Sequence, residues 1–230
     1  RIPGQLIDAE SGAHLWADRY DGALADVFEL QDRVASSIAG AIEPSLQRAE
    51  IDRAGRKPTE SLVAYDYLLQ AIGASRLYSR EDIDRALQLA RRAVELDQRY
   101  ALAHSWIAFW LQTRRTNGWA LDEEAEKADL VSAAQLAVQL APDDPSVLVN
   151  AGVALGHLKE HADTGIQRLN RAIALNANSS TAFGLGAIVR NHVGDYATAA
   201  DHANHAMRLS PFDPFTWVFD LALGISHFFR

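Results

Sequence analysis

Four segments, AVELDQ, AVQLAP, AIALNA and AMRLSP, recur along the chain and set its phase. Their leucines, Leu96, Leu140, Leu175 and Leu209, stand 44, 35 and 34 residues apart, and each has an alanine three residues before it: Ala93, Ala137, Ala172 and Ala206. Apolar residues at three- and four-residue spacing, with a period near 34, describe a repeated unit of two helices. One such unit has too little apolar face to fold alone. Stacked units share a continuous core, so the chain is expected to be an array of helical hairpins. The most regular unit runs from Leu175 to Pro211.

That unit resembles the tetratricopeptide repeat. Ala187 fits the small position of the first helix (helix A), Gly194-Asp195-Tyr196 the turn, Ala199 and Ala206 the small positions of helix B, and Pro211 the closing proline. Trp217 falls at the aromatic position of the next helix A. The resemblance covers about residues 59–230. It implies an all-α, right-handed superhelical solenoid whose A helices line a concave, peptide-binding face. Ala177 and Gln98 replace closing prolines, and the 44-residue spacing implies an insertion of about ten residues, placed at 114–121.

Local signals mark the helix ends. Thr59 or Ser61 can cap a first helix reaching about Leu77, and Ser79 with Asp82 reads as a capping box. Asp122-Glu123-Glu124 place negative charge at a helix start. Asp144-Pro145 and Asp213-Pro214 each supply an N-cap and a proline at the first helical position.

Upstream of the repeats the pattern changes. Residues 1–22 read as a β-hairpin with a turn at 8–12, and two strands alone are marginal in water. Residues 23–57 read as a long helix kinked near Pro44, then a charged linker. The run QLIDAESGAHLWADRYDGALADVFELQDRVASSIAGAIEPSLQRAE, followed by RKPTESLVAYDYLL, looks like a junction in bacterial class III adenylate/guanylate cyclase-type proteins. There a catalytic or winged-helix domain is followed by a small α/β domain and tetratricopeptide repeats. The resemblance implies a regulatory, non-catalytic part of an adenylate cyclase, or alternatively the effector domain of a winged-helix transcriptional regulator. A first residue Arg1 in place of Met fits a piece of a longer protein.

Composition narrows the chemistry. The net charge of −8 is spread along the chain with no basic stripe, which argues against nucleic acid. There is no cysteine, no apolar run long enough to span a membrane, and no signal peptide, so a cytoplasmic setting is expected. His157/His161 and His202/His205 have helical spacing, but each pair lacks a further ligand, and no metal or cofactor is expected. No nucleophile motif or phosphate-binding loop is present. Gly184-x-Gly186 lies inside a helix, where it reads as a close-packing site. The pairs Arg91-Arg92 and Arg114-Arg115 read as solvated helix faces.

Two candidate surfaces follow from the repeat phase. The concave face is expected to present Ser105, Phe109, Gln112, Ser146, Val149, Val153, Thr181, Ile188 and Asn191, flanked by Leu102, Gly156 and Gly184. None is Lys or Arg, so an apolar-to-neutral protein or peptide partner is expected. The aromatic concentration Tyr100, Trp106, Phe109, Trp110 and Trp119 reads first as core, with some rings free to anchor a partner. At the other end Trp217, Phe228 and Phe229 lie on a helix with no helix B after it. This exposed apolar face is expected to be covered by another subunit, as in a homodimer through this helix or through the hairpin, or by the next repeat of the parent protein.

Overall fold

The computed structural model describes residues 2–7, 14–20, 63–211 and 216–230. The turn at 8–12, the kinked helix and linker at 23–57, and the caps expected at Thr59, Ser61 and Asp213-Pro214 lie outside the described residues. Strands β1 (Ile2–Ile7) and β2 (His14–Tyr20) pair antiparallel, Ile2 opposite Tyr20 and Leu6 opposite Trp16, with an irregularity after Leu6.

From residue 64 the chain is helical hairpins. Helices α1 (Ala64–Ala74) and α2 (Arg80–Leu96) form the first pair, α3 (Ala101–Thr116) and α4 (Glu123–Leu140) the second. Helices α5 (Pro145–Gly156) and α6 (Ala162–Leu175) form the third, α7 (Ser180–His192) and α8 (Tyr196–Leu209) the fourth. Helix α9 (Thr216–Phe229) follows. Helices α5, α7 and α9 each lie against both helices of the preceding pair. That is how a stacked array shares one core between units that are individually too thin.

The four phased leucines are the last helical residues of α2, α4, α6 and α8. The alanines three residues earlier are fully buried, and each accepts the N–H that closes its helix, from Asp97, Ala141, Asn176 or Ser210. The alanines are therefore the packing positions. Leu96 and Leu175 stay exposed.

Caps follow the expected chemistry. Ser79 accepts from the Asp82 N–H at 3.1 Å while its hydroxyl donates to the Asp82 carboxylate at 2.6 Å. Asp122, Asp144 and Asp195 accept from first-turn amides of α4, α5 and α8. Helices α3 and α7 both end in a Schellman turn, with Gly118 at φ 68° and Gly194 at φ 85°. The next residue, Trp119 or Asp195, donates back to the carbonyl of Arg114 or Arg190 at 2.8 and 2.9 Å.

The additional residues of the second pair lie mostly in longer helices and only in part in the connection within 114–121. Helix α3 has 16 residues against 12 in α5, and α4 has 18 against 14 in α6. About one helical turn is added to each partner, which keeps their apolar stripes in phase across the hairpin.

Arg114 corrects the reading of a solvated pair. It is 6% exposed and holds the base of this longer hairpin. Its guanidinium donates to both Glu126 oxygens at 2.9 Å, to the Trp119 carbonyl at 3.1 Å and to Asp84 of α2. Burial pushes the Glu126 carboxyl up. Hydrogen bonds from Arg114 and the Leu121 N–H outweigh that and hold it below the usual carboxylate range. By contrast, Arg91–Asp129 and Arg171–Asp143 join exposed partners and add little. Arg114→Ala leaves two carboxylates in a half-buried junction. A loss of about 3 kcal/mol is expected in urea unfolding, at the lower end for a broken buried ion pair because Asp84 stays partly solvated.

Candidate interaction surface

The expected concave residues lie on the first helices of their pairs, but most of them serve the contact between one such helix and the next. Ser105 is 0% exposed. Its hydroxyl donates to the Leu102 carbonyl at 2.8 Å and accepts from Asn150 of α5 at 3.1 Å. Asn191 of α7 donates to the Ala222 carbonyl of α9 at 2.7 Å and accepts from the Ser226 hydroxyl at 2.8 Å. Phe109, Gln112, Val149 and Val153 are also buried, and only Ser146, Thr181 and Ile188 of the nine keep partial exposure. The expected partner surface is therefore corrected to a much smaller one.

The cause is close approach. A Cβ on Gly184 would overlap the ring of Phe219 in α9, and a Cβ on Gly156 would overlap Val189 in α7. Glycine lets these helices meet at backbone distance, and the residues beside it become the seam. Polar groups there pair with the neighbouring helix because an unpaired buried donor or acceptor is costly. The Gln112 amide oxygen is buried and has no hydrogen-bond partner among the described residues.

The aromatic concentration divides between core and surface. Trp110 is fully buried and stacks on half-buried Trp106 at 5.0 Å, while Phe109 meets Trp106 edge-on at 5.3 Å. Trp119 and Tyr100 are partly buried against the core. Burial pushes the Tyr100 phenol up to about 12, with Tyr65 and Asp97 adding to it.

Tyr78 was not among the expected site residues. It follows a short 3-10 turn (Ser75–Leu77) in left-handed backbone at φ 57°, a conformation that costs a bulky residue about 1–2 kcal/mol. Burial raises its phenol pKa, opposed by a hydrogen bond with Thr113 of α3. Its ring meets Trp217 of α9 edge-on at 5.9 Å. The first hairpin turn thus reaches the last helix. No periodicity announces this, because the contact depends on one backbone angle and on a residue far along the chain.

The histidines are packing residues. His157 donates from Nδ1 to the Val153 carbonyl at 2.9 Å, its ring lies 5.3 Å from His192, and burial lowers its pKa. His202 and His205 both flank Phe183, with ring centres at 5.0 and 4.4 Å. Among the described residues no three metal-ligating side chains come together.

The helix α9 end is apolar and open. Trp217 is 52% exposed, Leu221 50%, Phe228 81% and Phe229 59%. Phe229 stacks on Tyr196 of α8 at 5.6 Å and Phe228 meets Phe229 edge-on at 4.9 Å.

No family model matches the chain. It is 29% identical over 167 residues to "Putative adenylate cyclase 3" of Rhizobium meliloti (strain 1021). That alignment covers 70% of this chain and 28% of the relative, so the chain spans under a third of the relative's length. Among solved structures it is similar to the crystal structure of MamA, at 15% identity and a TM-score of 0.41, over 68% of this chain and 93% of that one. No described helix is long and apolar enough to cross a membrane.

Two outcomes test this geometry. Tyr78→Ala removes the ring contact between the ends of the array, and amide exchange is expected to rise in α9 while α3 to α6 stay protected. The second concerns pH. Burial, then Arg190 and His205, push His202 down to about 4 from its ordinary 6.5, with Asp195 and Asp201 opposing. The unfolded chain therefore takes up a proton first as pH falls. The stability from neutral His202 is complete above pH 6.5 and is lost progressively toward pH 4. His202→Gln should flatten the decline of the unfolding midpoint across that window.

Proposed function

We propose that this chain is a non-catalytic protein-interaction and regulatory module of a larger signalling protein, an adenylate cyclase of the class III type. The alignment with the cyclase relative carries the reading, because it spans the larger part of this chain but a small part of that protein. The side-chain chemistry supports it. Asp122, Asp144 and Asp195 cap helices, and Glu126 and Asp84 neutralise Arg114. These carboxylates hold the scaffold together.

A right-handed tetratricopeptide solenoid is the architecture this reading favours, and a protein or peptide is the partner it favours. The partly exposed inner positions Ser146, Thr181 and Ile188, with half-buried Trp106, offer such a partner a neutral surface.

The chain purified alone and supplied with ATP and Mg²⁺ or Mn²⁺ is expected to form no cyclic AMP. In the longer protein, deletion of residues 63–230 is expected to leave basal nucleotide turnover and abolish its regulation. Cyclic AMP from the isolated chain would overturn the non-catalytic assignment. A winged helix upstream in place of a cyclase domain would replace the cyclase parent with a transcriptional regulator.

A further inference from the structure

Two arginines are buried at the same point of their hairpins, with different surroundings. Arg114 and Arg190 each stand four residues before a turn glycine, Gly118 or Gly194, and are 6% and 4% exposed. Arg114 is neutralised by Glu126 and Asp84. Arg190 donates to the Gly186 carbonyl at 3.3 Å and to the Asn170 amide oxygen of α6, both neutral acceptors. Among the described residues no carboxylate forms an ion pair with it. Asp195 acts on it through space only, while its Oδ1 accepts from the Thr198 N–H. Arginine does not escape burial by losing its proton, so a guanidinium with neutral partners alone is a costly arrangement.

An unused donor lies in the same crease between α6, α7 and α8. The Arg190 guanidinium folds back over Gly186, where an added Cβ would stand 3.3 Å from Nη1. One turn nearer the start of α7, Phe183 meets the His202 ring at 5.0 Å. His202 Nδ1 is buried and has no hydrogen-bond partner among the described residues. Of the charged groups that act on His202, Arg190 acts most strongly, ahead of His205, Asp195 and Asp201. The crease is open to water at Asn170, which is exposed.

We propose that this crease binds a carboxylate. One oxygen takes the place of the Asn170 amide oxygen on the Arg190 guanidinium. The other accepts from His202, in the tautomer with its proton on Nδ1. Arg114 shows the pattern, since it holds both oxygens of Glu126 at 2.9 Å. Charge selects the class of ligand. His202 is neutral at neutral pH, so the crease holds one buried positive charge, which a carboxylate balances and a phosphate dianion exceeds. The carboxylate belongs to a small free acid or to an Asp or Glu side chain of a partner protein. The site is lined from the second helices α6 and α8 and is independent of the cyclase reading.

Imidazole NMR signals of the whole chain test this, with His202 assigned through His202→Gln. Sodium acetate replaces sodium chloride at constant ionic strength and neutral pH. The His202 signal is expected to shift saturably, with a Kd on the order of 1 mM for so small a ligand, while exposed His227 stays put. Arg190→Gln should abolish the shift. Asn170→Asp changes an exposed side chain, so it should keep the wild-type circular dichroism while supplying the missing carboxylate from within. It should raise the melting temperature by about 2–4 °C and weaken acetate binding about tenfold or more. A blocked Gly-Glu-Gly peptide separates the two sources: binding tighter than acetate assigns the site to a partner's side chain, and no binding beside saturable acetate assigns it to a free acid. No saturable shift with acetate, an unchanged acetate response in Asn170→Asp, or tighter binding of inorganic phosphate would overturn the proposal.

Discussion

The array depends on how closely successive first helices approach. Gly156 against Val189 and Gly184 against Phe219 leave no room for a Cβ, and hydrogen bonds between neighbouring helices close the remaining polar groups along the same seams. A hairpin held only by its own two helices would be marginal. A hairpin whose first helix also lies in the crease of the preceding pair shares its core with it, and the seam is where that sharing is decided. The same closeness gives up inner surface: side chains that in a looser array would face a ligand face another helix here.

The two ends of the array are built differently. From α1 to α7 the core contains Trp110, Leu68, Ile83, Leu111, Leu130, Leu148, Leu169 and other large side chains. That core continues into α8 and α9 through Ala206, Val218 and Phe219, and beside it lies a small cluster whose buried members are Ala187, Ala199, Ala203 and Ala222, with Ile188 and Leu223 packed against them. Alanine permits short distances but removes less apolar area from water, so the last units rest more on specific contacts. Phe219 on Gly184, Asn191 to Ser226 and Tyr78 on Trp217 are those contacts. Arg114 has the corresponding role in the longer second pair, where it joins α2, α3 and α4.

The fold was legible where it depends on period. Leu96, Leu140, Leu175 and Leu209 located the helix ends, and the alanines before them located the close packing. Ser79, Asp144 and Gly194 marked boundaries through backbone chemistry that any helix end demands. The site was less legible because phase gives a direction without a distance. Ser105 and Asn191 do lie toward the neighbouring first helices, but whether that direction leads to solvent depends on glycines at other positions. Arg114 was misread because a dibasic pair at a helix end is commonly solvated. Its sequence signal is the glycine four residues on, shared by Arg190 and Gly194: a Schellman turn folds the chain back over the arginine stem and buries it. Tyr78 had no signal, since nothing local places a tyrosine in left-handed backbone.

Those differences relocate the surface on which an interaction module would act. Small residues along the inner seams turn recognition positions into structural ones, and Ser146, Thr181, Ile188 and Trp106 keep only part of the neutral inner face. The large exposed apolar area is instead on α9, in the stripe that the repeat reserves for a partner helix. A helix in that slot continues the packing already present, since it meets the same positions that α6 and α8 meet in their own pairs. Such a helix would meet an α9 already held by the alanine cluster, by Val218 and Phe219, by the Asn191 hydrogen bonds to Ala222 and Ser226, by Phe229 on Tyr196 and by the Tyr78 ring.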